Sequence, residues 1–439
     1  VIGAVPFREA HALWMRIGVL SVGGPAAQIA LLHRLLVTER QWINAEEFNR
    51  ALGFCTLLPG PEAQQLATYC GWRLHGVRGG LAAGLWFIAP GLLLITALAA
   101  VALTYGAAPM LEGALYALTG VTIALVALAL VHVARRWLRD APSTTLALAS
   151  FVAMWGQLVP FPWLIAAGAI VGVAMPASRA AGQAASMPRA ATSASASAMS
   201  NTPTARRTLT TAALWLAVWL VPIALLPLPL GSSPVFGELG AFFSRVAAFT
   251  FGGAYSILGY VATESVAQQW VTAQQMTQGL ALAETTPGPL LLVLSYIGFV
   301  GAHGDPGGLQ PLLAGVLGAL VVAWATFAPS FLWIFAGAPW IDRLAGSDVM
   351  RRATAAISAV ALGAIAKLAL WFVVHALFRD QLIVEWSGGR WLVPVIESLQ
   401  ITLLMVALLS SALLLTKRVP TIALILGAAL CGALVAQAV

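Results

Sequence analysis

The sequence predicts an all-α polytopic membrane protein of about thirteen transmembrane helices, built as two inverted-topology repeats with broken helices at GGP and PGP motifs. Three observations carry this. Of the 439 residues, 60 % are hydrophobic and only 9 % charged, whereas a soluble domain is about a quarter charged. Apolar runs recur along the whole chain at close to the roughly 20 residues that cross about 30 Å of hydrocarbon. A set of short motifs also occurs twice, in the same order.

The apolar runs fall at 13–32, 48–70, 80–104, 113–134, 143–158 and 160–175, then at 211–230, and then at 240–260, 279–300, 312–337, 353–378, 396–415 and 420–438. Between the sixth and seventh, Pro176 to Thr210 is rich in Ala, Ser, Thr, Met and Arg and has no acidic residue, which reads as a flexible linker. The expected organisation is therefore a first repeat over 1–175, a linker with a connecting helix over 176–239, and a second repeat over 240–439.

Trp14-Met15-Arg16 followed by Ser21 to Pro25 (SVGGP) matches Phe243-Ser244-Arg245 followed by Thr250 to Ala254 (TFGGA). Gln41-Trp42 matches Gln269-Trp270, and Pro59-Gly60-Pro61 matches Pro287-Gly288-Pro289. Ala89-Pro90 matches Ala328-Pro329 across an insertion near Gly301 to Gly308, and Pro160 with Gly172 matches Pro420 with Gly432. Six spans per repeat plus one connecting helix give the copies opposite orientation, as in secondary transporters with the substrate site at the repeat interface. With the amino terminus in the cytoplasm, thirteen spans put fifteen basic residues inside and five outside, in line with the positive-inside rule.

The glycine pairs Gly23-Gly24 (before Pro25) and Gly252-Gly253 free a membrane helix to unwind, which is tolerated only in a protein-lined or hydrated setting. Close packing through small residues is the competing explanation for either pair alone. Two prolines flanking a glycine cannot continue an α-helix. Each PGP therefore splits its span, and a restarting half-helix offers free N–H groups and a partial positive charge to an anion; a plain kink is the alternative. Glu62 and Glu284 flank these breaks and are candidates for proton coupling, while Gln28, Gln64 and Gln65 offer polar contacts.

Ionisable groups inside spans are costly and need a partner or a hydrated cavity. Arg16 and Arg245 stand seven residues before their glycine pairs, on the same helical face, and a guanidinium fork suits a tetrahedral oxyanion. Snorkelling to the interface is the other explanation. Lys367 sits in mid-span, with Glu284 as its most interesting partner. Cys55, Cys70 and Cys431 lie in apolar runs without ligand spacing, so no disulfide framework or metal site is expected. No Walker-type loop, nucleophile–base pair or nucleic-acid-binding basic cluster is visible, and neither a cofactor nor an enzymatic activity is expected. The first residues, Val1 to Ala12, lack a cleavable signal pattern and are expected to be retained.

The GGP and PGP pair, repeated as GGA and TPGP (Thr286 to Pro289), resembles the long-chain chromate ion transporters over about Ala12 to Ala438. The resemblance implies an inner-membrane exporter of chromate that confers chromate resistance, with sulfate as structural analogue and the motif positions Gly23, Gly24, Pro25, Pro59, Gly60, Pro61, Gly252, Gly253, Pro287, Gly288 and Pro289 as functional. The chain departs from the family pattern at Val22, often Phe, and at Gln28, often His. On this reading Arg16, Arg245, Lys367, Gln28 and Gln65 complete the substrate site, and the partners are a small oxyanion and the lipid bilayer. A sulfate importer of the same architecture and an anion channel remain as rivals.

Overall fold

The computed structural model describes residues 5–106, 108–138, 141–174, 205–226, 234–341, 348–416 and 419–438. Most of the expected linker, at 175–204, lies outside the described residues, while its last six residues already belong to a helix. Sixteen α-helices occur among the described residues. In the first repeat they are α1 (Phe7–Leu20), α2 (Gly24–His33), α3 (Ala45–Cys55), α4 (Glu62–Tyr105), α5 (Pro109–Trp137), α6 (Ala141–Trp155) and α7 (Phe161–Ala174). The connecting helix is α8 (Ala205–Leu225). The second repeat has α9 (Val235–Ala248), α10 (Ala254–Ala267), α11 (Ala273–Thr285), α12 (Leu292–Gly304), α13 (Pro311–Gly337), α14 (Asp348–Leu377), α15 (Ile401–Thr416) and α16 (Thr421–Ala438).

The interruptions fall at the sequence motifs. Gly23, Gly24, Gly60, Gly252, Gly253 and Gly288 all have φ between +78° and +124°, a region that a side chain opposes. The course of the chain beyond each interruption corrects the expectation of thirteen full crossings. Arg40, beyond α2, lies 2.6 Å from Glu9 at the start of α1, and Arg73 pairs with Glu47 at the start of α3. The helices before and after each break thus form a hairpin whose two ends lie on the same face. In the second repeat, Phe242 of α9 packs on Trp270 beyond α10, with ring centroids 5.2 Å apart. Gly301 near the end of α12 lies against the same Trp270 just before α11. Four of the thirteen apolar runs are therefore re-entrant. Two half-helices of ten to fourteen residues carry the same apolar length as one span, so hydropathy alone cannot separate the cases.

Nine helical arms remain among the described residues. α4 folds back at His75 (φ −139°) and Gly76 (φ +60°), so its first arm completes the second hairpin and its second arm crosses. The two arms touch at Gly71 and Gly79, where a Cβ on either would strike the carbonyl of the other. Gly298 of α12 and Gly318 of α13 repeat this contact in the second half. Small residues permit this backbone approach where lipid supplies no hydrophobic drive between helices. Among the described residues five helices, α8 and α14 included, are long and apolar enough to cross a membrane.

The repeats interlock at their carboxyl ends. Gly172 of α7 rests on Arg352 and Ala353 of α14, while Gly432 of α16 rests on Gly113 of α5. Each repeat thereby packs its last helical pair on the long helix of the other. Trp340 donates to Thr208 at 2.8 Å, placing the start of α8 beside the end of α13. This linker face carries Arg8, Arg34, Arg40, Arg73, Arg78, Arg206 and Arg207, and the distal face carries Arg379 and Arg390.

Two local features were not expected from the sequence. Arg34–Glu39 is π-helical. From Gly24 to Gln41 the first repeat holds one residue more than the second does from Gly253 to Gln269, and a single inserted residue makes a π-bulge. Gln381–Trp386 (β1) and Gly389–Pro394 (β2) form an antiparallel ribbon on the distal face. Ser387 (φ +51°) and Gly388 (φ +78°) form its two-residue turn.

In a cysteine-free background, Glu39→Cys and Arg78→Cys should react with a membrane-impermeant maleimide from the same side of the membrane. Reaction from opposite sides would restore thirteen full crossings.

Candidate functional site

The four breaks meet in the middle of the bundle, crosswise. Gly60 N–H donates to the Thr250 carbonyl and Gly288 N–H to the Ser21 carbonyl, both at 2.8 Å. Ser21 and Thr250 occupy the same place in the two repeats, and so do Gly60 and Gly288. Each PGP break is thus closed by the glycine break of the other repeat. The Ser21 hydroxyl donates to Ile17 O at 2.6 Å and the Thr250 hydroxyl to Val246 O at 2.7 Å, so even the side chains that end α1 and α9 obey the symmetry.

Further polar contacts are specific to one side. Gln28 donates to Gly288 O at 2.7 Å and Ser21 O at 3.2 Å. Gln65 donates to Pro59 O at 2.7 Å, and Gln64 donates to Thr68 at 3.2 Å. On α4 and α13, Pro90 and Pro329 precede Gly91 and Ser330, which occupy matching places. A Cβ on Gly91 would collide with Pro287 O, whereas Ser330 Oγ lies 3.0 Å from where a Cβ on Gly60 would stand.

The PGP residues are mostly buried, while the glycine pairs border a crevice. Gly23 is exposed, and Gly24, Gly252, Gly253, Glu62 and Tyr255 are half-buried. A Cβ on Gly24 would lie 3.9 Å from the Tyr255 hydroxyl, and one on Gly253 would lie 3.8 Å from Glu62 Oε1. Tyr255 in turn donates to buried Glu284 at 2.7 Å. The crevice therefore holds the amino ends of α2 and α10, two carboxyl groups and a phenol. Helix starts present N–H groups without intrahelical partners and a partial positive charge. Glycine at φ > 0 leaves that backbone open to a small ligand.

The three basic residues singled out from the sequence lie elsewhere. α1 ends at Leu20, so the seven-residue register that put Arg16 on the face of Gly23 does not extend across the break, and Arg16 is exposed. Arg245 is exposed on α9, its Nε donating to Ala241 O at 3.3 Å. Lys367 is buried on α14 and donates to Gly259 O and Thr263 Oγ1 of α10, not to Glu284. It lies six residues beyond Ala361, which packs on Gly252, about 9 Å at the helical rise. Tyr255 was missed from the sequence. Its signal is its position two residues after the second glycine pair, where the first repeat has Ala26. Among the described residues no group of three His, Cys, Asp or Glu could hold a metal ion.

Residues 9–173 and 237–433 match the profile of the chromate transporter family. The chain belongs to the chromate transporter family. It is 28 % identical over 365 residues to the chromate transport protein of Pseudomonas aeruginosa, covering 82 % of this chain and 78 % of that one. It is 25 % identical over 378 residues to that of Cupriavidus metallidurans, covering 82 % and 80 %. An uncharacterised transporter of Methanocaldococcus jannaschii is 23 % identical over 405 residues, covering 91 % and 92 %. No solved structure matches the chain. Membership of the chromate transporter family makes this a polytopic membrane transporter and not an enzyme, and the duplicated match spans both crossed sets of breaks.

The two kinds of glycine should respond differently to substitution. Gly24→Ala has room but imposes a left-handed backbone, costing about 1–2 kcal/mol and lowering the thermal midpoint of the detergent-solubilised protein. Gly91→Ala, which meets Pro287 O, should remove the monodisperse folded peak in size-exclusion chromatography.

Proposed function

We propose that this chain is a secondary transporter that exports chromate across the cytoplasmic membrane and so confers chromate resistance. The observation that carries this is the crossed closure of the four breaks, which brings the amino ends of α2 and α10 to one crevice between oppositely oriented repeats. Helix starts suit a small anion, and the relatives named as chromate transport proteins supply the substrate. A divalent tetrahedral oxyanion would be held by N–H groups at Gly24 and Gly253 and by the Tyr255 hydroxyl. Lys367 adds positive potential from behind α10.

On this reading Glu62 and Glu284 are the groups able to carry a coupling proton, because a carboxylate and an oxyanion in one crevice repel unless a proton separates their charges. An inside-negative potential favours anion exit by about 2.3 kcal/mol per charge per 100 mV, so export needs no other energy source. The excess of arginine on the linker face supports a cytoplasmic location for that face and the amino-terminal end.

Cells making the protein should accumulate less chromate than cells without it, and inverted vesicles should take chromate up, with added sulfate showing whether the analogue competes. Equal accumulation would contradict the reading. Glu284→Gln and Tyr255→Phe should each lower chromate flux at least tenfold at unchanged protein level, with Glu284→Gln also flattening its pH dependence. Lys367→Met should lower flux with a smaller change in the pH profile.

A further inference from the structure

A cleft of about 700 Å³ opens between the two arms of the third hairpin, walled by one face of α9 and one face of α10. Its mouth holds Glu238, Glu264 and Gln268, Arg245 stands on its wall, and Phe249 and Ile257 lie at its inner end. Phe249 is one residue before Thr250, whose carbonyl closes the Gly60 break. The cleft therefore leads from the distal face to the meeting point of the breaks, with a guanidinium partway along.

The internal repeat gives every position on these walls a counterpart in the first hairpin. Glu238 corresponds to Glu9, Arg245 to Arg16, Ile257 to Gln28 and Gln268 to Arg40. Two positions differ in chemistry at the mouth: Glu264 stands where the first hairpin has the Leu35-Leu36 pair, and Gln268 stands where it has Arg40. Arg40 Nη1 reaches Glu9 Oε1 at 2.6 Å, tying the outer end of α1 to the outer end of the π-helical turn, with both side chains 46 % exposed. In the third hairpin the same place holds an uncharged Gln268, whose amide turns to Glu264 of its own helix at 3.2 Å. There the arms border the cleft.

We propose that the cleft at Arg245 is the distal vestibule for the transported oxyanion, with Arg245 as its anion station, and that the Glu9–Arg40 pair straps shut the equivalent vestibule at Arg16 on the linker face. This rests on the transport reading above. A half-exposed ion pair is weak, which suits a strap that opens and closes in each cycle, and a forked guanidinium recognises a tetrahedral oxyanion without enclosing it. The arms of the third hairpin meet through Phe242 on Tyr260 and Trp270 and carry no ion pair at the Glu238 and Gln268 positions, whereas those of the first are tied by Glu9 and Arg40.

The test uses the full-length protein with Cys55, Cys70 and Cys431 replaced, carrying Ala241→Cys on the distal cleft wall or its repeat mate Ala12→Cys. A membrane-impermeant maleimide should label Ala241→Cys from the distal face. Gln268→Arg combined with Glu264→Leu, which removes the nearer carboxylate and leaves Glu238 as the partner, should slow that labelling several-fold. Arg40→Gln should speed labelling of Ala12→Cys from the linker face by a similar factor, and Arg40→Lys, which keeps the charge, should leave it slow. Chromate should slow labelling of Ala241→Cys, and Arg245→Gln should abolish that protection. Rates indifferent to both strap substitutions would overturn the strap. Rates that track the straps but ignore chromate would overturn the anion station, and the cellular fluxes decide the transport reading separately.

Discussion

Two backbone hydrogen bonds, Gly60 N–H to Thr250 O and Gly288 N–H to Ser21 O, are the constraint on which the architecture depends. A helix broken in mid-membrane leaves donors and acceptors that lipid cannot satisfy, at several kcal/mol each. Gln28 and Gln65 satisfy the Ser21 and Pro59 carbonyls from within the first repeat, and the prolines of each PGP leave its glycine as the only backbone donor of the triplet. That glycine N–H is satisfied by the other repeat in both cases, so the breaks hold oppositely oriented copies together. The tight approaches of Gly91 to Pro287 and of Ser330 to Gly60 hold that meeting point from the long crossing helices. Duplication and inversion are in this sense requirements of the broken helices.

Within that symmetry the chemistry is asymmetric. Tyr255 and Glu284 belong to the second repeat, where the first has Ala26 and Thr56, while Gln28, Glu62 and Gln65 belong to the first, where the second has Ile257, Leu290 and Val293. Backbone closure is therefore shared and polar side chains are divided. A single crevice lined from both repeats results, with the glycine pairs supplying the open backbone and the carboxyl groups supplying exchangeable protons. The π-helical turn at Arg34–Glu39 adds a second difference on the first hairpin, just where Arg40 reaches Glu9.

Much of this was legible in the sequence. The repeat register, the positions of all four breaks and the all-helical membrane class come from motif order, proline chemistry and composition. The re-entrant course was not legible, because α1 with α2 carries as much apolar length as one span; the pairing of Glu9 with Arg40 and of Glu47 with Arg73 reveals it only in three dimensions. Arg16 does not share the helical face of Gly23, since helical register stops at the break after Leu20. Lys367 was rightly singled out as costly to bury, but its partners are a backbone carbonyl and a threonine, which no charge pattern announces. The ribbon at Gln381–Pro394 was readable in the β-branched and aromatic residues of QLIVEW and GRWLVP on either side of the Ser387-Gly388 turn, a signal overshadowed by the apolar runs around it.

Where the oxyanion rests is the most direct measure of the role of the breaks. An anomalous-difference map at the chromium edge, from crystals of the protein grown with chromate, should show the metal between Gly24 and Gly253, within hydrogen-bonding reach of their N–H groups. A chromium peak remote from all four breaks, at a well-occupied site inside the bundle, would contradict it.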